Sequence, residues 1–374
     1  MKKRVFACCL AAMLLSALLP AVPAAAAGES EISASAAIVV EPFTGTALYE
    51  KNADEQMLIA STTKIMTAMV VLERCALDEP VEVTMAHAAV EGSSMYLRPG
   101  EEYTVEDLLW GLMLASGNDA AAALADHCAG SMEAFAALMN EKCAALGLVN
   151  THFANAHGLD APEHYSTARD LTVITAAAMQ NAKFCEIFAT QAKTVRGVTY
   201  VNHNKLLGSC EGCIGGKTGY TNAAGRILVS CVEREGMRLI CVTISDVNDW
   251  EDHAALYDGS FAAWRFQPLP GETWRQIETV SGTQEYVRLV CGEAGVVVPK
   301  ERDVRLSARL PRFVFAPVLA GAQAGEIDVV IDGATAQTVE VCYGETVPLD
   351  GFVALSPWER FRRLWFLTSG GITS

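Results

Sequence analysis

Strand-like alternation stops at residue 60 of this chain and resumes at Thr194, and the interval between them reads as helical. Ala37-Ile38-Val39-Val40 and Thr46-Ala47-Leu48-Tyr49 flank a turn from Pro42 to Gly45. From Ser61 the apolar residues recur at helical spacing. Helices are expected from Ser61 onward, then over Val105 to Leu114, Asp119 to Leu146 and Thr167 to Gln191, with a polar loop from Asn150 to Ser166. Strands return over Thr199 to Asn202, Arg226 to Glu233 and Arg238 to Ser245, and a helix follows from Trp250 to Phe266. This order implies one α/β (α+β) domain, residues 28–268, with a helical subdomain (about 61–192) inserted between its sheet strands.

The character changes at Gln267-Pro268-Leu269-Pro270-Gly271, and residues 269–352 hold only short alternating stretches. These are Glu285 to Val290, Gly295 to Val298, Val304 to Leu310, Ile327 to Ile331 and Gln337 to Cys342, the pattern of a small all-β domain without a chemical constellation. In residues 353–374 a helix would gather Trp358, Phe361, Leu364 and Trp365 on one side, with Arg360 and Arg363 opposite. It is too short to span a bilayer but suits a membrane surface. At the other end, Lys2-Lys3-Arg4, an apolar run from Val5 and the small residues Ala21 to Ala27 read as a signal peptide, residues 1–27. The expected location is therefore extracytoplasmic, peripheral on the outer face of the cytoplasmic membrane.

With 51% hydrophobic residues the chain can bury a large core, and a formal charge of −16 excludes a basic nucleic-acid face. Beyond Cys8 and Cys9 of the leader, the cysteines sit mostly among apolar neighbours and read as small buried hydrophobes. Cys210-Glu211-Gly212-Cys213 is the one suggestive pair, readable as a local disulfide, a redox pair or two plain thiols. No further ligands at metal spacing accompany it, so neither a metal site nor a cofactor is expected.

Chemistry is concentrated in three short motifs. In Ser61-Thr62-Thr63-Lys64 a serine and a lysine three residues apart share a helix face, so a lysine whose charge is disfavoured can take the serine's proton. Alone the motif is weak, since a Ser-x-x-Lys occurs about once by chance in a chain like this. Its setting, with Ile65, Met66, Met69, Val70 and Leu72 around Lys64, argues for a buried central helix. Ser116-Gly117-Asn118 falls between two helices, and Lys217-Thr218-Gly219 follows Gly215-Gly216 in a strand-rich stretch. Singly these are an ordinary capped turn and a strand edge; together and in this order they are much less probable by chance.

The three motifs resemble those of the penicillin-recognising serine acyl-transferases. The finer resemblance is to the D-alanyl-D-alanine carboxypeptidases among the low-molecular-mass penicillin-binding proteins. It extends through Asn155-Ala156-His157-Gly158-Leu159, His164 to Asp170, Asn202 to Leu207 and Gly216 to Gly225, and the leader, β domain and terminal helix fit the same layout. The resemblance implies a β-lactamase/transpeptidase-like catalytic domain. It implies a peptidoglycan stem peptide ending in D-Ala-D-Ala as substrate, and covalent binding of β-lactams as its mimics. In the implied roles Ser61 is the nucleophile, Lys64 its base, and Ser116 and Asn118 assist proton transfer and positioning. Lys217 and Thr218 hold the terminal carboxylate, and the Ser61 and Tyr220 N–H groups, beside Gly219, form the oxyanion hole. Tyr220 stands where relatives often carry histidine. His157 and His164 read as scaffold first and site-lining second, and Thr167 to Asp170 as a capping box.

A class A β-lactamase would need a Glu-x-x-Leu-Asn loop after the second motif; Glu141 and Glu163 both lack those partners. A D,D-endopeptidase would use the same residues, and a non-catalytic β-lactam sensor or wall-binding module would be acylated without turnover.

Overall fold

The computed structural model describes residues 32–270, 275–351 and 358. The expected leader, and all of the expected terminal helix except Trp358, lie outside the described residues. The chain divides into two compact units, with the change between Trp264 and Arg265.

The first unit opens with β1 (Ala36–Glu41) and β2 (Thr46–Lys51), the expected hairpin. A 3-10 turn, Ala60–Thr63, runs directly into α1 (Lys64–Arg74). There follow β3 (Pro80–Glu82), the short α2 (Met85–Ala88), β4 (Glu102–Thr104), α3 (Val105–Leu114), α4 (Asn118–Ala129) and α5 (Met132–Ala145). After the polar loop come α6 (Ala168–Ala178), α7 (Ala182–Ala189), the hairpin β5 (Ala192–Val195) and β6 (Val198–Val201), and α8 (Leu206–Ser209). The strands β7 (Cys213–Thr221), β8 (Gly225–Arg234) and β9 (Met237–Ile244) and the helix α9 (Asp249–Ala263) close the unit.

Two expected long helices are each broken in two. Gly130, at φ +82°, ends α4 in the left-handed conformation, and the Ser131 hydroxyl accepts from Ala134 N–H to start α5. The Asn181 side chain likewise accepts from Lys183 and Phe184 N–H and restarts the chain as α7. The closing helix ends at Ala263 instead of Phe266, because Trp264–Pro268 form a strand, β10. Thr167 does cap α6, accepting from Asp170 N–H, but the reciprocal half of the expected box is missing: the Asp170 carboxylate accepts from the Thr151 hydroxyl at 2.6 Å.

Five strands make one antiparallel sheet in the order β2-β1-β9-β8-β7. The N-terminal strand β1 thus lies beside the distant strand β9, with Ala36 opposite Ile244 and Val40 opposite Ile240. Every residue of β1 is buried, as are the middle of β8 and most of β9, so both faces are covered. The helix α9 packs on β8 and β9, and α6 packs on β1 and β9. At the end of this order, β7 is an edge strand that packs against the 3-10 turn and carries the third motif.

The second unit has its own core, including Ile277, Val287, Leu289, Val296, Ile327, Val339 and Val341. Its main sheet has the order β14-β16-β17-β12-β11-β15, from β11 (Arg275–Val280), β12 (Tyr286–Cys291), β14 (Val304–Arg309), β15 (Phe313–Phe315), β16 (Gln323–Ile331) and β17 (Ala334–Tyr343). A separate pair joins β10 to β13 (Gly295–Pro299).

Candidate active site

Ala60, with φ +44°, turns the chain into the 3-10 turn, and two hydroxyls hold that turn shut. Thr62 Oγ1 donates to Ile59 O at 2.5 Å and Thr63 Oγ1 to Ala60 O at 2.7 Å. Ser61 is half-buried on this turn, and Lys64, the first residue of α1, is fully buried. Its Nζ lies 2.9 Å from Ser61 Oγ, 2.7 Å from Asn118 Oδ1 and 2.7 Å from the carbonyl of His157.

Those three partners differ in kind. The Asn118 and His157 oxygens can only accept, whereas the serine hydroxyl can also donate. A neutral amine has two N–H groups and one lone pair. With both N–H groups given to the two obligate acceptors, the lone pair is left facing Ser61. Burial lowers the Lys64 pKa well below 10.5, the nearby Lys217 ammonium lowers it further, and the Asp119 carboxylate opposes both more weakly. The three contacts accommodate an unprotonated amine facing the serine as well as an ammonium, and burial with the Lys217 charge favours the unprotonated one.

The second motif lies between α3 and α4. Ser116 is buried and held at φ +58°, a left-handed conformation uncommon outside glycine and costly enough to need support from its surroundings. Support comes from Asn118 and Asp119. Asn118 Nδ2 donates to Glu91 O at 2.6 Å, and Asn118 N–H to Ser93 O at 2.7 Å. Asp119, fully buried, accepts from Met95, Leu97 and Ala120 N–H and from the Ser94 hydroxyl, fixing the 93–97 loop against the start of α4. Gly92, at φ +92°, leaves the room that Asn118 needs: a Cβ there would stand 2.7 Å from its amide nitrogen.

The third motif is the middle of β7. Lys217, also fully buried, donates from Nζ to Ser116 Oγ at 3.0 Å and to Thr218 O at 2.8 Å, which leaves one N–H uncommitted. Burial brings its pKa down to about 7. Gly219 lets the strand press on the turn that carries Ser61, since a Cβ there would lie 3.1 Å from Ile59 O and 3.2 Å from Ser61 N. Because β7 is an edge, alternate N–H groups along its outer side have no ladder partner in the sheet. Thr218 is half-buried, and Tyr220 is 63% exposed with its hydroxyl donating to Asn222 Oδ1 at 3.1 Å. Ser61, Lys64 and Asn118 thus form one hydrogen-bonded set and Ser116 and Lys217 another, with Thr218, Gly219 and Tyr220 on the same strand as Lys217.

Several contributors are invisible in the motifs. The His157 carbonyl is a ligand for Lys64 because the loop passes directly over the 3-10 turn. At Gly158, with φ +90°, a Cβ would fall 2.0 Å from Ala60 O. His164 Nδ1 accepts from Ala154 N–H, so its Nε2 carries the proton and donates to Thr63 Oγ1 at 2.7 Å. Burial lowers the pKa of both His157 and His164 to about 4, so both rings are neutral scaffold. Thr221 Oγ1 donates to Asp160 Oδ1 at 2.9 Å and ties the end of β7 to the same loop. Gly158 beside His157 and the clustered glycines around Gly216 are the sequence signal for these approaches; nothing in the sequence singles out Asp119.

No metal-ligating cluster coincides with this site among the described residues; the one group of three lies at Cys75, Glu79 and His127. Cys210 and Cys213 are both free thiols. Among the described residues no helix is long and apolar enough to cross a membrane.

Against known proteins, the model of the S11 peptidase family, described as D-alanyl-D-alanine carboxypeptidase, matches residues 23–248. The D-alanyl-D-alanine carboxypeptidase DacF of Bacillus subtilis is 30% identical over 88% of this chain and 91% of its own length. The Escherichia coli carboxypeptidase DacC is 34% identical over 89% and 87%. Among solved structures, penicillin binding protein 5 of Haemophilus influenzae superposes with a TM-score of 0.75 at 26% identity, covering 85% of this chain and 98% of that one. A mutant of the Streptomyces K15 DD-transpeptidase gives 0.60 at 37% identity over 62% and 98%.

Proposed function

The chain belongs to the D-alanyl-D-alanine carboxypeptidase family, and from that premise we propose that it removes the terminal D-alanine of peptidoglycan stem peptides through an ester on Ser61. The observation that carries this reading is the Lys64 amine, buried, repelled by a second lysine, and with only its Ser61 contact able to reverse direction.

In the proposed reaction the terminal carboxylate is held by the free N–H of Lys217 and by the Thr218 hydroxyl. Ser61 Oγ attacks the carbonyl carbon between the two D-alanines as its proton passes to Lys64. The backbone N–H groups of Ser61 and Tyr220 take the charge that forms on the carbonyl oxygen. The departing amine receives a proton from Lys64 by way of Ser116, whose hydroxyl already bonds Lys217. Water then attacks the ester, Lys64 again takes a proton, and the shortened stem leaves with Ser61 regenerated. A β-lactam enters the first half of this sequence as a mimic of D-Ala-D-Ala. Such a substrate places the working enzyme outside the cytoplasm.

The test is steady-state release of D-alanine from a soluble acyl-D-Ala-D-Ala peptide, beside Ser61→Ala. Sustained release that disappears in the variant is the expected result. Penicillin labelling of Ser61 without release would replace the proposal by a sensor or a cross-link-specific endopeptidase, and neither release nor labelling would end it.

A further inference from the structure

Helices α1 and α4 both begin at the candidate active site, with Lys64 and Asn118, and both end at a second cluster far from it. Cys75 is the residue that ends α1, and Glu79 follows one short turn later. His127 and Cys128 lie in the last turn of α4. The ligand atoms of Cys75, Glu79 and His127 all fall within 4.8 Å of one another, and the Cys128 thiol sits beside that of Cys75. We propose that Cys75, Glu79, His127 and Cys128 form a structural site for a thiophilic divalent cation, zinc by preference, that ties together the far ends of α1 and α4.

The donor set is two sulfurs, one imidazole nitrogen and one carboxylate oxygen, four ligands of the kinds that zinc takes in closed tetrahedral sites. Calcium and magnesium, which demand oxygen ligands, do not fit it. The carboxylate is already oriented: Glu79 Oε1 accepts from Ala76 N–H at 2.8 Å, leaving Oε2 turned to His127 Nε2 at 2.8 Å. Outer-shell bonds of this sort hold a ligand in place before the ion arrives. The C-terminal end of α4 contributes partial negative charge, which favours a cation there. Binding at two thiol ligands would release their protons, so uptake of the ion should weaken as the pH falls. The sequence conceals the set, because Cys75 and Glu79 are separated from the His127-Cys128 pair by half a subdomain; the expectation of no metal rested on the Cys210 pair alone.

An eleven-residue α1 puts this cluster roughly 16 Å from Lys64, so the ion has no part in the chemistry. Its effect is on the helix pair that carries Lys64 and Asn118. The full chain, purified without chelator, is dialysed against zinc chloride and its bound metal measured, with Cys75→Ser, His127→Gln and Glu79→Gln alongside. The expected result is one retained zinc per chain, lost in Cys75→Ser and His127→Gln and weakened in Glu79→Gln. Added zinc should raise the melting midpoint of the metal-free parent chain by roughly 5–10 °C at a hundredfold excess over its dissociation constant, raise that of Glu79→Gln by less, and leave Cys75→Ser and His127→Gln unmoved. Cobalt(II) in place of zinc should give a thiolate-to-metal charge-transfer band that Cys75→Ser abolishes. D-alanine release by Cys75→Ser should match the parent. Zinc retention equal in parent and variants would overturn the proposal. So would a quantitative Cys75–Cys128 disulfide in the protein as isolated, seen as a two-dalton mass loss, because it removes both sulfur ligands.

Discussion

The two units of this chain bury polar residues very differently. In the first, Lys64, Lys217, Asp119, Ser116, Asn118, His164, Asp246 and His253 are all nearly or wholly removed from water. In the second, Thr279 and Asp328 are the buried polar residues among those described, and its charges form ion pairs in the open, such as Arg288 with Glu345 and Arg309 with Glu326. A buried lysine costs stability unless something is gained from it. In the proposed reaction the gain is a base and a carboxylate clamp, two lysines whose pKa values burial lowers. The second unit is an ordinary sheet with an apolar core and a solvated face, and its packing calls for no chemistry to explain it.

The difference should be largest at Lys64. Replacing it by alanine should lower the rate of Ser61 acylation by about 10⁴-fold, the scale seen when a nucleophile loses its base. Burst kinetics with a chromogenic β-lactam measure this directly; a fall of less than tenfold would remove Lys64 from the role proposed for it.

The two lysines also predict the shape of the pH profile. The competent state has Lys64 neutral and Lys217 charged. Burial, with repulsion from Lys217 on top of it, holds the Lys64 pKa well below the ordinary lysine value. Acidification through the Lys64 pKa protonates the base, so kcat/KM should fall on the acid side. Loss of the Lys217 charge at about pH 7 should make it fall again on the alkaline side. A substrate ending in an amide instead of a carboxylate should lose the alkaline limb and keep the acid one. Stability runs differently. Folded Lys217 holds its proton more weakly than an unfolded lysine does, so between pH about 7 and 10.5 the unfolded chain binds more protons. The contribution of Lys217 to stability should therefore rise with pH across that window, as thermal midpoints taken through it would show.

Two truncations then separate stability from activity. Asp119→Ala strands the Met95 and Leu97 N–H groups in a dry interior and should cost about 3 kcal/mol, with lost activity as the 93–97 loop and Asn118 shift. Leu289→Ala, in the β-sheet core, should cost about 2–5 kcal/mol by cavity formation and leave D-alanine release unchanged. Denaturation followed by far-ultraviolet dichroism, with turnover assayed on the same samples, checks both. A Leu289→Ala enzyme with impaired kcat would erase the contrast between the units.

How much of this was legible in the sequence depended on the range of the interaction. The β1–β2 hairpin, the boundaries of α3 and the Ser61-x-x-Lys64 spacing follow from local periodicity and survive unchanged. The breaks at Gly130-Ser131 and Asn181 are equally local, but the run of helix-forming residues on either side outweighs them until the caps are seen. The His157 carbonyl and Asp119 were beyond reach for another reason. A backbone oxygen has no residue-type signature, and a carboxylate one residue after Asn118 reads as an ordinary first-turn acid on α4. What makes Asp119 special is a loop more than twenty residues earlier folding onto it, and no spacing rule encodes that. The same holds for the Cys75 cluster, where two ligand pairs meet only because α1 and α4 run side by side.

The smallest effect expected is from removing the second unit altogether. Ending the chain after Phe266 deletes one core and leaves intact every residue of the hydrogen-bonded sets around Ser61, all of which lie in the first unit. Each unit has a separate apolar core, so the first should fold without the second. The kcat/KM for a soluble acyl-D-Ala-D-Ala peptide should stay within about twofold of the full chain, since no group that touches substrate is lost. Turnover of intact peptidoglycan sacculi is the sharper comparison. If the β unit serves to present the catalytic unit to an insoluble wall, the shortened enzyme should lose rate there while keeping it on the soluble peptide. A loss on both substrates would mean that the second unit supports the geometry at Ser61, and the division of labour drawn between the two would be wrong.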